Sequence, residues 1–187
     1  YVMDDSSAPL NDSAGSVDLQ SSASPGLGSP GILSTEAVRF SGGEGFSSAQ
    51  SPFESQGSFT INAWVQPDSL PSSQGGLSAE SGSPYTVFAI EDRLTLQVVE
   101  GGDAYAETRV DGRRFVAETA AGNIRPGEWT MVTLGYNDQD DSLTVSTGQG
   151  ADRSSVSLPS APDLTSGSTF VGYRPDIGGN GFDGRID

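Results

Sequence analysis

Short runs in which apolar and polar residues alternate, bounded by turn-forming clusters, confine this chain to strands. In Phe59-Thr60-Ile61-Asn62-Ala63-Trp64-Val65, a period of two puts Phe59, Ile61, Ala63 and Val65 on one face. Val87-Phe88-Ala89-Ile90 and Leu94-Thr95-Leu96-Gln97-Val98 flank Glu91-Asp92-Arg93, which reads as a hairpin turn. Thr130-Met131-Val132-Thr133-Leu134-Gly135-Tyr136 alternates and then turns at Asn137-Asp138-Gln139-Asp140-Asp141. Leu143-Thr144-Val145, Ser155-Val156-Ser157-Leu158 and Thr169-Phe170-Val171-Gly172-Tyr173 complete the set. No window carries a helical period, and the best helical candidate, residues 118–123, is closed early by Gly122 and Pro126. Many short strands joined by Gly/Pro turns pack sheet on sheet, so an all-β sandwich is expected, with more than about ten strands in one domain over residues 1–187. The Ser/Gly/Pro stretch at 67–84 is a loop of the length that is either functional or mobile.

Composition removes several chemistries. The chain has no cysteine and no histidine, and its nine basic residues are all arginine. A disulfide framework, a Cys/His zinc site and a Ser-His or Cys-His catalytic pair are therefore excluded. The formal net charge of -16 opposes nonspecific nucleic-acid binding. No apolar run approaches the roughly 20 residues that span a bilayer. An acid excess without lysine fits a halophile's solvated surface or a high-GC genome that favours arginine codons, and the two stay open. The chain begins at Tyr1 with no visible signal peptide, so it is expected to be a processed or excised piece of a longer protein.

The order of motifs resembles the bacterial and archaeal laminin G-like domains of the concanavalin A-like lectin/glucanase superfamily. Tyr1-Val2-Met3-Asp4-Asp5, followed by Asn11-Asp12-Ser13-Ala14-Gly15, is similar to the family's opening strand and its D-S-S-G turn. Ala37-Val38-Arg39-Phe40-Ser41-Gly42-Gly43 resembles the G-x-A-L-x-F-D-G strand, with Ser41 where the family usually has Asp. Gly57-Ser58-Phe59-Thr60-Ile61-Asn62-Ala63-Trp64-Val65-Gln66-Pro67 is close to G-S-F-T-I-S-A-W-V-K-P. Pro126-Gly127-Glu128-Trp129-Thr130-Met131-Val132 resembles P-G-x-W-x-H-V, and Phe182-Asp183-Gly184-Arg185-Ile186-Asp187 resembles F-x-G-x-I-D-E-V. The resemblance implies a two-sheet antiparallel jelly-roll sandwich. It also implies that the last strand is incomplete at Asp187, so that another segment completes it. It makes Trp64 and Trp129 structural residues of the core.

In related domains a structural calcium ties the first strand to the last and to an early loop. The corresponding residues here are Asp4, the Gly42-Gly43-Glu44 turn and Asp187, a set of hard oxygen donors suited to Ca2+. The alternative is solvated termini without metal. Asp138, Asp140 and Asp141 lack the Gly and closing Glu of an EF-hand and read as a solvated turn. The E-x-D-x-x-E pattern of superfamily glucanases is missing, and Glu100, Asp103 and Glu107 straddle the Gly101-Gly102 turn, so no catalysis is expected.

The candidate ligand contacts are Tyr105, Arg109, Arg113, Arg114, Phe115 and Tyr173, aromatics and a local basic cluster in a very acidic chain. Such a cluster suits an acidic glycan or an acidic partner, unless its arginines pair with Asp111, Glu107 and Glu118. The expected function is a noncatalytic recognition or adhesion module of a cell-surface, secreted or virion protein, binding a glycan or another surface protein. The alternative is a structural domain that assembles with neighbouring subunits in a virus or a surface stalk.

Overall fold

The structure, a computed structural model, describes residues 17–21, 24–32, 36–72, 84–175 and 181–187. The opening motif with Asp4, the Asn11-Asp12 turn and most of the 67–84 loop lie outside the described residues. Fourteen strands follow in chain order: β1 (Gln20–Ser21), β2 (Gly26–Ser29), β3 (Ala37–Ser41), β4 (Phe46–Ser48), β5 (Phe59–Pro67), β6 (Tyr85–Ile90), β7 (Leu94–Val98), β8 (Ala104–Val110), β9 (Arg113–Glu118), β10 (Thr130–Asn137), β11 (Ser142–Thr147), β12 (Asp152–Ser157), β13 (Thr169–Val171) and β14 (Asp183–Ile186). Among the described residues helical geometry is confined to 3-10 turns, at Gly148–Gly150 and beginning at Pro175. The best helical candidate, 118–123, is not helical: Glu118 closes β9 and the residues after it turn.

The strands make two antiparallel sheets of seven. The first runs β1-β4-β13-β6-β7-β8-β9 and the second β12-β11-β10-β5-β14-β3-β2. Their facing sides hold the core. Val38, Phe40, Val65, Val132, Leu134, Leu143, Val145 and Ile186 of the second sheet pack with Phe46, Val87, Phe88, Ile90, Leu94, Leu96, Val98 and Ala106 of the first. Edge-on aromatic contacts, Phe40 with Phe46 and with Phe182, fill one end. The expected apolar face of β5 points inward, with Phe59, Ile61 and Ala63 packed against the core and Val65 fully buried.

The same alternation corrects the reading of the tryptophans. With Val65 inward, Trp64 faces out, opposite Met131 on β10, and it is half-buried rather than part of the core. Trp129, just before β10, is half-buried as well.

The chain's final motif forms β14, a central strand between β5 and β3. Asp187 extends that pairing, exchanging backbone hydrogen bonds with Trp64 at 2.8 and 2.9 Å. The acidic Asp138-Asp141 segment is the β10–β11 turn. There Tyr136 donates to Asp141 at 2.6 Å and the Ser58 hydroxyl donates to Asp138 at 2.5 Å.

Candidate functional site

The side of the first sheet away from the core carries the most concentrated polar chemistry. On β8, Ala104, Ala106 and Val110 turn into the core, so Tyr105, Glu107 and Arg109 turn out. On β9, Arg109 lies opposite Arg114, Glu107 opposite Val116 and Tyr105 opposite Glu118, which places Arg114 and Glu118 on the same outer face. Glu107 is the hub. Its Oε2 accepts from Arg114 Nε at 2.7 Å and from the Tyr105 hydroxyl at 2.9 Å. Arg114 Nη2 also donates to the Tyr105 hydroxyl. Arg109 approaches the other oxygen, Oε1, at 3.6 Å. Burial and the neighbouring Glu107 carboxylate push the Tyr105 phenol well above its ordinary range, so it stays a neutral donor.

Three of the six expected ligand residues thus share one face, and three do not. Arg113 and Phe115 follow the opposite alternation: Phe115 packs against the core, and the Arg113 guanidinium lies over its ring at 5.5 Å. Adjacent residues of a strand cannot contribute to the same face, so the cluster read along the chain splits in two. Tyr173 follows β13, where its backbone and Cβ crowd Gly45. Of the three carboxylates weighed as partners for these arginines, Glu107 is the one paired with them among the described residues.

Beside the hub lies a row that the sequence reading did not select. Gln97 is opposite Tyr105, Thr95 opposite Glu107, and Thr86 opposite Gln97. All three face away from the core, since Leu94, Leu96 and Val98 face it. Thr86, Thr95 and Gln97 are only 1%, 6% and 5% exposed; the buried side-chain atoms without a hydrogen-bond partner among the described residues belong instead to Glu36, Asp103 and Arg185. The sequence signal of the row was the run Leu94-Thr95-Leu96-Gln97-Val98, in which the polar positions of a buried strand point to one side.

At the end of this face Glu118 meets Asp103 of the β7–β8 turn in a carboxyl–carboxyl hydrogen bond. Burial pushes both groups up, and their mutual contact raises Glu118 further. The nearby Asp152 charge raises Asp103 as well, and one Asp103 oxygen is buried without a partner.

The expected calcium residues are not brought together. β14 runs antiparallel to β3, so Asp183, not Asp187, lies opposite Ser41 beside the Gly42-Gly43-Glu44 turn. Asp187 sits at the other end of β14, where its carboxylate accepts from the Ile32 N–H at 2.7 Å. The Glu44 carboxylate closes its own turn, accepting from Ser41 N at 2.9 Å and Gly43 N at 3.1 Å. Burial alone would raise Glu44, but these N–H groups outweigh it and hold the carboxyl below its ordinary value. Among the described residues no three carboxylates gather as a metal site, and Asp4 lies outside them.

A family model described as the concanavalin A-like lectin/glucanases superfamily, laminin G type, matches residues 40–187. No curated protein matches the chain in sequence. Among solved structures, domain 4 of AbnA, a GH43 extracellular arabinanase from Geobacillus stearothermophilus solved with arabinotriose, superposes with a TM-score of 0.65 at 16% identity, covering 96% of this chain and 84% of that one. The Ruminococcus gnavus IT-sialidase CBM40 bound to alpha2,3 sialyllactose gives 0.60 at 12% identity, covering 81% and 88%. Domains LG4-5 of the mouse laminin alpha1 chain give 0.59 at 14% identity, covering 80% of this chain and 39% of that one. At these identities the likeness is one of fold.

Proposed function

Because the chain belongs to the laminin G-like family of the concanavalin A-like lectin/glucanase superfamily, we propose that it is a noncatalytic recognition module that binds a glycan on the outer face of its first sheet. The observation that carries this reading is the polar row Thr86, Thr95 and Gln97 set against the Tyr105–Glu107–Arg114 network on one outer face. Sugar hydroxyls both donate and accept, which matches an amide and two hydroxyls lying side by side. Similarity of fold to the arabinotriose-bound and sialyllactose-bound domains supports the class of ligand.

Catalysis fits poorly. Glycoside hydrolysis uses two carboxyls separated by about 5 Å or more, with the bond between them. The pair that meets here, Asp103 and Glu118, hydrogen-bonds to itself. Assembly with neighbouring subunits lacks a specific supporting feature: among the described residues Ile32 is the only large hydrophobic counted as exposed. No helix among the described residues is long and apolar enough to cross a membrane. We assign the module to a secreted, cell-surface or virion protein, the setting in which such glycans are met.

Gln97→Leu tests the reading. Replacing this amide should leave stability within about 1 kcal/mol of wild type while lowering glycan affinity at least tenfold. Thermal unfolding and a glycan-array titration of the same preparation measure both. Unchanged glycan binding would sink the assignment of this face.

A further inference from the structure

We infer that the outer face of the second sheet is a separate platform for an uncharged oligosaccharide, on which Trp64 stacks against a sugar ring; it is independent of the first-sheet reading above. Trp64 faces out from β5 opposite Met131 of β10, and both are half-buried and so partly open to solvent. On the other side of Trp64 lies Asp187, which faces out because Ile186 faces the core. The Asp187 carboxylate accepts from the Ile32 N–H at 2.7 Å, which holds residue 32 over the same face. Ile32 is the large hydrophobic that stays 42% exposed. Met131, Trp64 and, past Asp187, Ile32 thus follow one another across this face. One outward position along β5, Asn62 is exposed and lies opposite Thr133, whose hydroxyl donates to Asn62 Oδ1 at 2.8 Å. The Asn62 NH2 is left as a donor at an exposed position, about 7 Å along the strand from Trp64.

Charge and size choose the ligand. The outward positions of β5, β10, β11 and β12 hold Ser, Thr, Asn, Gln, Gly, Trp and Met, with Arg153 the one charged side chain among them. Asp152, the carboxylate of these strands, points the other way and accepts from the Ala120 N–H at 2.7 Å. On a chain of net charge -16, these strands offer a neutral polyol a surface where no carboxylate has to be desolvated. An anionic glycan would find a single guanidinium there. Four strands about 4.8 Å apart, with an outward run of about 20 Å on β5, make roughly 400 Å2, about half of what each partner buries in a stable protein interface. That area suits a short run of sugar rings. The indole covers the apolar C–H face of one ring, while the hydroxyls at its rim reach Asn62 and the Ser and Thr side chains beside it.

Trp129→Phe leaves Trp64 as the chain's one tryptophan, since there are two. That variant is titrated with short neutral oligosaccharides of glucan, xylan, mannan and arabinan while its emission is followed. At least one should shift the Trp64 emission saturably. Asn62→Ala in the same background should weaken that binding about fivefold and leave the unfolding midpoint unchanged. Trp64→Leu, read by calorimetry in the Gln97→Leu background, should weaken it at least tenfold. Gln97→Leu alone should leave the emission shift as it is. An emission that no oligosaccharide moves overturns the inference and leaves the first-sheet reading untouched. A shift lost in Gln97→Leu but kept in Asn62→Ala belongs to the first sheet and overturns it as well. Sedimentation velocity is the last arm: self-association that Trp64→Leu abolishes would put a second copy on this face instead of a sugar.

Discussion

Asp103 and Glu118 keep their hydrogen bond only while one of them holds a proton, and burial raises both carboxyls. A carboxyl whose folded-state pKa is raised costs stability once it is ionised. The cost is absent below the ordinary values of 3.8 and 4.5 and grows as pH rises through and above them. Glu118→Gln keeps a donor toward Asp103 and removes one charge. It should therefore raise the unfolding midpoint at pH 7 by a small amount, below about 1 kcal/mol after solvent screening, and this gain should vanish near pH 3. Urea unfolding at the two pH values checks the sign, and a larger gain in acid would refute it. At this scale the sequence is read well where chemistry is local and poorly where it depends on register. Glu107 was among the carboxylates named for the arginines, two residues from Arg109. Arg113 and Arg114 were read as one cluster, although a strand sends neighbours to opposite faces. Gln97 became conspicuous only with β8 beside it.

β14 shows what an element demands of its neighbours. Gly184 lies mid-strand at φ 140, and a Cβ there would sit 2.2 Å from the Gln66 carbonyl oxygen and 2.7 Å from Pro67 Cα. Both obstacles are backbone, so a side chain would drive β14 away from β5. Gly184→Ala should cost about 2–4 kcal/mol. Gly135 on β10 is the control. Its Cβ would meet the Phe59 carbonyl oxygen at 3.6 Å, an ordinary contact, and Gly135→Ala should change stability by less than about 1 kcal/mol. Denaturant midpoints of the two variants decide it, and similar losses in both would contradict the packing described. β5, β6, β7, β10 and β11 were legible because one or both faces are apolar with period two, whereas β8 and β9, rich in charged residues, were not among the runs read as strands. β1, β2 and β4 were not, since two to four residues are too few to show a period. Neither was the neighbour order β13-β6, which joins segments far apart in the chain.

For the molecule as a whole, the net charge of -16 is offset by few contacts. The ion pairs among the described residues involve only Arg39, Arg93, Arg109 and Arg114. The remaining carboxylates repel one another over a Debye length that shrinks from about 30 Å at 0.01 M salt to about 3 Å at 1 M. The unfolding midpoint should therefore climb by several degrees from low to molar sodium chloride, and a flat response would show that the charges are too dispersed to matter. The same scan, run at fixed ionic strength with calcium and with chelator, addresses the metal. From the described residues no change is expected, because Glu44 is spent on its own turn and Asp187 lies at the far end of β14. A rise at micromolar calcium would point to ligands outside the described residues, Asp4 among the candidates.

The polar face has a further property. β6, β7, β8 and β9 follow one another along the chain and pair in that same order, so everything that lines the face falls within residues 85–118. The second sheet, by contrast, is stitched from segments drawn from both halves of the chain. The proposed binding face is thus one uninterrupted cassette laid on a scaffold encoded mostly elsewhere. A lineage could exchange that cassette, and with it the chemistry of the face, while β14 keeps its seat between β5 and β3.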